Sequence, residues 1–273
     1  MFEQKFGIEI QPMWREKPDS SPQSFVADVR SELVRILSSR AGQAIASSLR
    51  FHGKTILLMP YEGQDCNSQT ANVSSISPQV VVLYSPRLLR GSPCSKKKSS
   101  ENNANLPHEI LFHELVHALR RVTGHNHPHQ QTGRLMGYKD SEEFLAILAT
   151  NIFISDTSNP FKSGLRANHE SHLSLEKELA DSFLFFRNGT RAFNIIATFC
   201  DENRGFAGLL SKVRARFNPI AAYLSNSQRA LHMAAEGDAD VTFTNLIPMT
   251  AYQEPSGIWT RFSRPVPPVK PGR

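Results

Sequence analysis

The sequence has little that would support membrane insertion or classical secretion. Its longest apolar runs, such as the segment from Phe144 to Ala149, fall far short of the roughly 18 residues that a transmembrane helix needs. The amino terminus contains an acidic residue, Glu3, and no apolar stretch follows it, unlike a secretory signal peptide. We therefore expect neither a membrane-spanning segment nor export by the classical route.

Cysteine is also scarce. Cys66, Cys94 and Cys200 are the three cysteines of the 273-residue chain, and none of them shows CxxC-type spacing. This excludes a disulfide-stapled small domain and a cysteine-rich zinc site. Three free thiols are the favoured interpretation, and a single Cys66–Cys94 bridge is the alternative that the sequence leaves open.

An excess of one charge is present but is confined to two segments. The chain has 31 Lys and Arg against 25 Asp and Glu, and seven of the basic residues lie in a Ser-rich loop (Lys96, Lys97, Lys98) or near the carboxy terminus (Arg261, Arg264, Lys270, Arg273). Without these seven, 24 basic residues face 25 acidic ones, so the body is nearly neutral. We therefore expect no nucleic-acid partner.

The hydrophobic pattern changes period along the chain and predicts an α+β fold that is mostly helical with a small β-sheet. We predict an irregular leader over 1–22, a single domain over 23–254 and a Pro-rich basic tail over 255–273. The predicted strands span 54–60 and 79–84, and a loop is expected over 90–105. The predicted helices span 25–40, 41–49, 107–123, 141–154, 173–187, 190–200 and 205–217.

The most informative stretch is an HExxH motif, His113-Glu114-Leu115-Val116-His117, inside a segment bracketed by Pro107 and Gly124. Pro suits the first turn of a helix and Gly the position after its end, so the motif is expected on one helix. His113 and His117 then lie only about 40° apart on the helix surface, where both imidazoles can reach one metal ion. The apolar residues form an arc on the far side. We expect zinc at the two histidines and Glu114 as the general base.

A catalytic zinc needs a third protein ligand. Arg120 and Thr123 stand where the metzincin pattern has Gly and His, which excludes that class. The predicted helix over 141–154 supplies two glutamates. Glu143 shares a narrow polar slot with Thr150 and Asn151, which are expected to support it, so Glu143 is favoured as the ligand and Glu142 is the substitute. A competing interpretation makes Glu143 part of a capping box with Asp140.

Other polar residues are candidates for the cleft. A zinc peptidase needs a hydrogen-bond donor for the oxyanion that develops on the scissile carbonyl, and Tyr223, Arg166 and His169 are the candidates that the sequence offers. An HxHxH run, His125-Asn126-His127-Pro128-His129, follows the motif helix and is more typical of a solvated loop than of a second metal site.

His113-Glu114-Leu115-Val116-His117-Ala118, followed by Glu142-Glu143, resembles the HELxHA and paired-Glu pattern of gluzincin-type zinc metallopeptidases. The resemblance is to clostridial neurotoxin light chains, to the type III effector proteases that include NleD, and to metallopeptidase domains linked to type VI spike proteins. It covers about 50 residues, and in the neurotoxins the second Glu of the pair binds zinc, which implies Glu143.

The resemblance implies a zincin-like fold and a bacterial effector or toxin that is cytoplasmic before delivery. A specialised secretion apparatus would deliver it to a target cell, where it would cut a protein or peptide substrate.

The sequence thus predicts a zinc-dependent endopeptidase that binds one Zn²⁺ through His113, His117 and Glu143. Two alternatives stay open: a zinc-binding interaction module without catalysis, and a zinc hydrolase acting on a small amide or on cell-wall peptide.

Overall fold

A computed structural model describes residues 7–12, 22–61, 69–72, 79–90, 106–126, 140–161, 163–166 and 191–225. These residues include seven helices and four strands whose bounds are given below, which agrees with the predicted mostly helical α+β class. The strands are β1 (Ile8–Ile10), β2 (Ile56–Met59), β3 (Gln69–Asn72) and β4 (Val80–Leu83). The helices are α1 (Pro22–Leu37), α2 (Arg40–Phe51), α3 (Pro86–Arg90), α4 (Pro107–Val122), α5 (Ser141–Ser155), α6 (Arg191–Glu202) and α7 (Arg204–Leu210).

The four strands form one mixed sheet in the order β1-β2-β4-β3. Strands β1, β2 and β4 run parallel, and β3 pairs antiparallel with β4 at the edge. Alternate residues of the two central strands, Ile56, Leu58, Val80 and Val82, enter the core. Thr70 pairs with Val82 in register, so its side chain lies on this same inner face.

Two of the strands differ from the sequence-based prediction. Strand β1 lies in the segment predicted to be an irregular leader, where it pairs with β2 in the register Ile8↔Ile56. Strand β3 was not predicted, because Gln-Thr-Ala-Asn carries no β-branched or apolar run. Both are three- or four-residue strands held by pairing with a central neighbour rather than by a strong local pattern.

Helix α4 passes through the middle of the core and begins and ends as predicted. Pro107 occupies the first turn, and Gly124, just beyond the end of the helix, has φ 77°, a conformation that favours glycine. The predicted apolar arc is buried, and Phe112 stacks on Phe153 of α5 with ring centroids 4.4 Å apart. This stacking packs the two helices that carry the candidate ligands against each other.

Helix α5 is apolar on nearly all sides and correspondingly buried. Its N-cap is Asp140, whose carboxylate accepts a hydrogen bond of 2.9 Å from the main-chain N–H of Glu143. At its other end Asp156 is fully buried and accepts a hydrogen bond from the N–H of Ala41 in the first turn of α2. The two ends of α5 are therefore both fixed by carboxylates.

Helix α7 ends at Leu210, whereas the sequence predicted a helix over 205–217. The prediction is wrong for 211–217 because the chain there bonds to other elements. The side chain of Asn218 donates hydrogen bonds to the main-chain oxygens of Leu210 and Val213, and Arg216 N–H donates to Ser155 at the end of α5. These contacts take the place of the main-chain hydrogen bonds of a longer helix.

Several predicted features lie outside the described residues: the helix over 173–187, the loop over 91–105, the tail over 255–273, and both Cys66 and Cys94. Cys200 is a buried free thiol. Within the described part of the chain, no helix is long and apolar enough to cross a membrane.

Candidate metal centre

Helix α4 carries both motif histidines on one face, and their imidazole rings are in contact. The Nε2 atoms of His113 and His117 are 3.0 Å apart, and the ring planes are nearly perpendicular, at 81°. Both side chains are buried, at 3% and 8% exposure. The one-turn spacing that the sequence predicted therefore brings two imidazole nitrogens to a common point.

The carboxylate of Glu143 on α5 completes the cluster. Its Oε2 atom lies 3.4 Å from Nε2 of His113, and its Oε1 atom lies 3.6 Å from Nε2 of His117. The main-chain N–H of Glu143 bonds to Asp140, so half of the predicted capping box is present as well. The two interpretations of Glu143 are thus compatible, because its backbone takes part in the cap and its side chain faces the histidines.

The three side chains fit a metal ion of the kind that imidazole and carboxylate prefer. One ligand atom from each residue lies within 4.8 Å of the others. In a tetrahedral zinc site with bonds of about 2.1 Å, neighbouring ligand atoms are about 3.4 Å apart. The two Nε2 atoms are 3.0 Å apart, and each is 3.4 or 3.6 Å from one of the two carboxylate oxygens of Glu143, which is close to that value. His113, His117 and Glu143 could therefore hold one metal ion with little movement.

The two histidines differ in their electrostatic surroundings. Burial lowers the pKa of His113 to about 4, although contact with Glu143 opposes the shift. Burial also lowers the pKa of His117, but the contact with Glu143 and the charges of Glu114 and Glu143 outweigh it, so this pKa is raised. A metal ion binds neutral imidazole, so its binding would displace the proton that the carboxylates favour on His117.

Glu114 follows His113 on α4, and a residue of the sheet donates a hydrogen bond to its carboxylate. The hydroxyl of Thr70 on β3 donates a hydrogen bond of 2.6 Å to Oε2 of Glu114, and it also lies 3.1 Å from the main-chain oxygen of Glu114. The charge of the Glu114 carboxylate contributes to the raised pKa of His117 and opposes the lowering of the pKa of His113. A carboxylate so placed can accept a proton from a group bound at the cluster.

Glu142, the substitute ligand, has a different partner. Its carboxylate accepts two hydrogen bonds of 2.7 Å from the guanidinium of Arg120, one from Nε and one from Nη2. Both side chains are buried. Arg120 therefore holds both carboxylate oxygens of Glu142, and of the two adjacent glutamates it is Glu143 that faces the histidines.

The predicted support of Glu143 by Thr150 and Asn151 is wrong. The Thr150 hydroxyl donates to the main-chain oxygen of Ala146, and the Asn151 side chain exchanges two hydrogen bonds with the main chain of Arg166. Thr150 satisfies a carbonyl of its own helix because a hydroxyl inside a buried helix has few other acceptors. Asn151 instead anchors the segment that follows α5.

The structure describes two of the three candidate oxyanion donors, Arg166 and Tyr223, and shows contacts of both with other residues. Arg166 is buried and lies 3.5 Å from the carboxylate of Glu109, one turn before His113. The ring of Tyr223 packs on Phe193 at 5.4 Å between centroids. His169 lies outside the described residues, as do His127 and His129 of the HxHxH run.

Two neighbours of the cluster were missed as site residues from the sequence, Thr70 and Arg120. Thr70 lies in a short polar stretch with no signal of its own, and its pairing with Glu114 spans 44 positions. Arg120 carried a signal, because it follows His117 by three residues and so shares its helix face.

Searches of protein-family models, curated proteins and solved structures found no match to this chain. The site therefore has to be interpreted from its own residues.

Proposed function

We propose that the protein is a zinc-dependent endopeptidase with a zincin-like fold. The observation that carries the proposal is the convergence of His113, His117 and Glu143, with Glu114 beside the two histidines on α4. Two imidazoles and one carboxylate are the ligand set of gluzincin-type catalytic zinc sites, in which the fourth coordination position is kept for water or substrate. The mixed sheet packed against α4 agrees with the α+β class of the proposed fold.

His113, His117 and Glu143 would hold the ion. When bound, zinc supplies a Lewis acid that polarises the scissile carbonyl and lowers the pKa of a coordinated water. Glu114 then accepts the proton of the attacking water and passes it to the nitrogen of the leaving amine. Thr70 keeps the Glu114 carboxylate in one orientation through its hydroxyl. The two histidines are buried, so they shield the position that the metal ion would occupy from bulk water.

The proposed substrate is a protein or peptide, and the proposed biological role is that of a bacterial effector or toxin. This part rests on the resemblance of the HELxHA and paired-Glu segment to neurotoxin light chains and to secreted effector proteases. Delivery through a specialised secretion apparatus into a target cell belongs to the same proposal.

The variant Glu114→Gln tests the mechanism. Gln keeps the shape of the side chain and can still bond to Thr70, but it cannot take a proton. We expect one zinc per chain to be retained and cleavage to fall by at least about 10²-fold, the lower range for loss of general-base catalysis. Cleavage is measured as new termini by mass spectrometry in an unfolded protein mixture. Glu9→Gln, at an exposed position of strand β1, is the matched control and should cleave like the wild type.

The outcomes separate the alternatives. Full activity in Glu114→Gln would refute the assigned role of Glu114. Zinc binding without cleavage of any protein, but with hydrolysis of small amides or cell-wall peptides, would identify a different hydrolase. Zinc binding with no hydrolysis of any of these would favour a zinc-binding interaction module.

A further inference from the structure

Arg120 lies on the same face of α4 as the two motif histidines. Relative to His113, His117 is displaced by about 40° and Arg120 by about −20°, so the three side chains follow one narrow stripe. Opposite this stripe, α5 presents Glu143 to the histidines and the preceding residue, Glu142, to Arg120. Adjacent residues of one helix therefore bind two successive turns of the other.

The Arg120 guanidinium is held from several sides. Besides its two hydrogen bonds to Glu142, Nη2 donates to the main-chain oxygen of His125 at 2.5 Å and lies 3.3 Å from the carboxylate of Glu202 on α6. The cation also lies 5.5 Å from the centre of the Phe199 ring. The guanidinium thus joins α4, α5, α6 and the chain that follows α4.

The geometry of the pair is directional. A planar guanidinium that makes two parallel bonds to one carboxylate fixes the distance between the groups and also their relative orientation. Arg120 and Glu142 are only 2% and 3% exposed, so water cannot easily take the place of either partner. The pair lies in the first turn of α5, beside Glu143, and adds a directional contact to the apolar packing of α5 against α4, of which the Phe112–Phe153 stacking is part.

We propose that Arg120 is a positioning residue of the metal centre. Its paired hydrogen bonds to Glu142 fix the rotation and register of α5 against α4, and so hold the neighbouring carboxylate of Glu143 at His113 and His117. This inference rests on the metal site of the proposed function. It concerns metal affinity, so it does not depend on whether the bound metal catalyses hydrolysis.

The expected effect is on the zinc dissociation constant. Loss of a group that orients a metal ligand weakens metal binding by about 10–100-fold. Arg120→Lys keeps the positive charge but cannot make the two parallel hydrogen bonds to Glu142, so we expect zinc to bind about tenfold more weakly. Arg120→Met also leaves the Glu142 carboxylate buried without its guanidinium, and this variant should lose both zinc affinity and thermal stability.

The double variant Arg120→Met, Glu142→Met separates positioning from stability. Replacing both members of a buried ion pair by apolar side chains of similar size usually restores stability. We expect the melting temperature of the metal-free double variant to recover toward that of the wild type, while zinc still binds at least about tenfold more weakly. Zinc affinity is measured by competition with a chromogenic chelator, and the melting temperature by circular dichroism in excess chelator.

Leu33→Ala is the matched control, because Leu33 is a buried core residue of α1, a helix that carries none of the three ligands. It should lower the melting temperature without changing zinc affinity. A double variant that binds zinc as tightly as the wild type would overturn the positioning role. A wild type that binds no zinc would overturn both this role and the proposed function, whereas a wild type that binds zinc without cleaving overturns only the peptidase.

Discussion

The hydroxyl of Thr70 on the edge strand β3 donates a hydrogen bond of 2.6 Å to the carboxylate of Glu114 on α4. Thr70 reaches it because it pairs with Val82 on the inner face of the sheet, against which α4 packs. The bond joins the sheet to the helix at the residue proposed as general base. One carboxylate oxygen of Glu114 is thereby fixed.

Replacing Thr70 by Val should impair catalysis more than stability. A hydrogen bond to a charged group contributes about 1.5–3 kcal/mol, so its loss should reduce kcat by about 10–100-fold if the bond holds Glu114 in its working orientation. Thr70→Ser keeps the hydroxyl and should recover most of the rate. The measurement is kcat and KM for both variants on one peptide, together with zinc content.

The contrast between the two Thr70 variants decides the interpretation. If Thr70→Val and Thr70→Ser lose the same activity, the hydroxyl is irrelevant and the shape of the side chain explains the effect. If Thr70→Val loses zinc, the residue supports the metal ligands rather than Glu114.

Removal of metal should lower the melting temperature. A ligand that binds only the folded state stabilises it by about 4 kcal/mol at a free concentration about 1,000 times its dissociation constant. For a chain of this size, that corresponds to roughly 8–16 °C. A strong chelator should therefore lower the melting temperature by about that amount, and zinc in excess of the chelator should restore it.

The variant His113→Ala is the control for this effect. It lacks one of the three ligands, so its melting temperature should respond little to either chelator or zinc. An equal response of His113→Ala and the wild type would mean that the stabilising metal binds elsewhere.

Asp156 should be a major contributor to stability although it lies outside the proposed site. Its fully buried carboxylate accepts hydrogen bonds from Ala41 N–H at the start of α2 and from the N–H and hydroxyl of Ser158. Asp156→Ala leaves the N–H of Ala41, in the buried first turn of α2, and two donors of Ser158 without their acceptor, so we expect a loss of about 2–4 kcal/mol in the free energy of unfolding. The loss is measured by urea denaturation of the wild type and the variant, in which the dependence of the free energy of unfolding on urea concentration should be the same for both.

Asp156→Asn is the graded comparison, since it keeps one acceptor oxygen and should lose less than the alanine variant. A change below about 0.5 kcal/mol in Asp156→Ala, the range of ordinary surface substitutions, would contradict the assigned contribution of this carboxylate.

The sequence was sufficient to predict those features of the site that depend on the helical period within one segment. One turn of helix separates His113 from His117, so the shared orientation of the two imidazoles follows from helical geometry alone. Glu143 is one of two glutamates in the first turn of an otherwise apolar helix, and that pattern is local as well. The brackets at Pro107 and Gly124 are local signals in the same sense.

The remainder depends on how distant elements pack. Strand β1 is held by its register with β2, which no pattern over Ile8–Ile10 indicates. Thr70 comes to Glu114 only because β3 pairs with β4, and Arg120 finds Glu142 only because α4 and α5 pack side by side. For the same reason, the predicted support of Glu143 by Thr150 and Asn151 was wrong. These two side chains donate hydrogen bonds to the main-chain oxygens of Ala146 and Arg166 instead.

The most direct test of the account is zinc content measured together with proteolysis in purified wild type, His113→Ala and Glu143→Ala. His52→Ala and Glu9→Ala, which change the same residue types at exposed positions, are the matched controls. We predict one zinc per chain in the wild type and both controls, with new cleavage ends in a protein mixture, and loss of zinc and cleavage in both ligand variants. A wild type that binds no zinc, or ligand variants that keep it, would contradict the central claim.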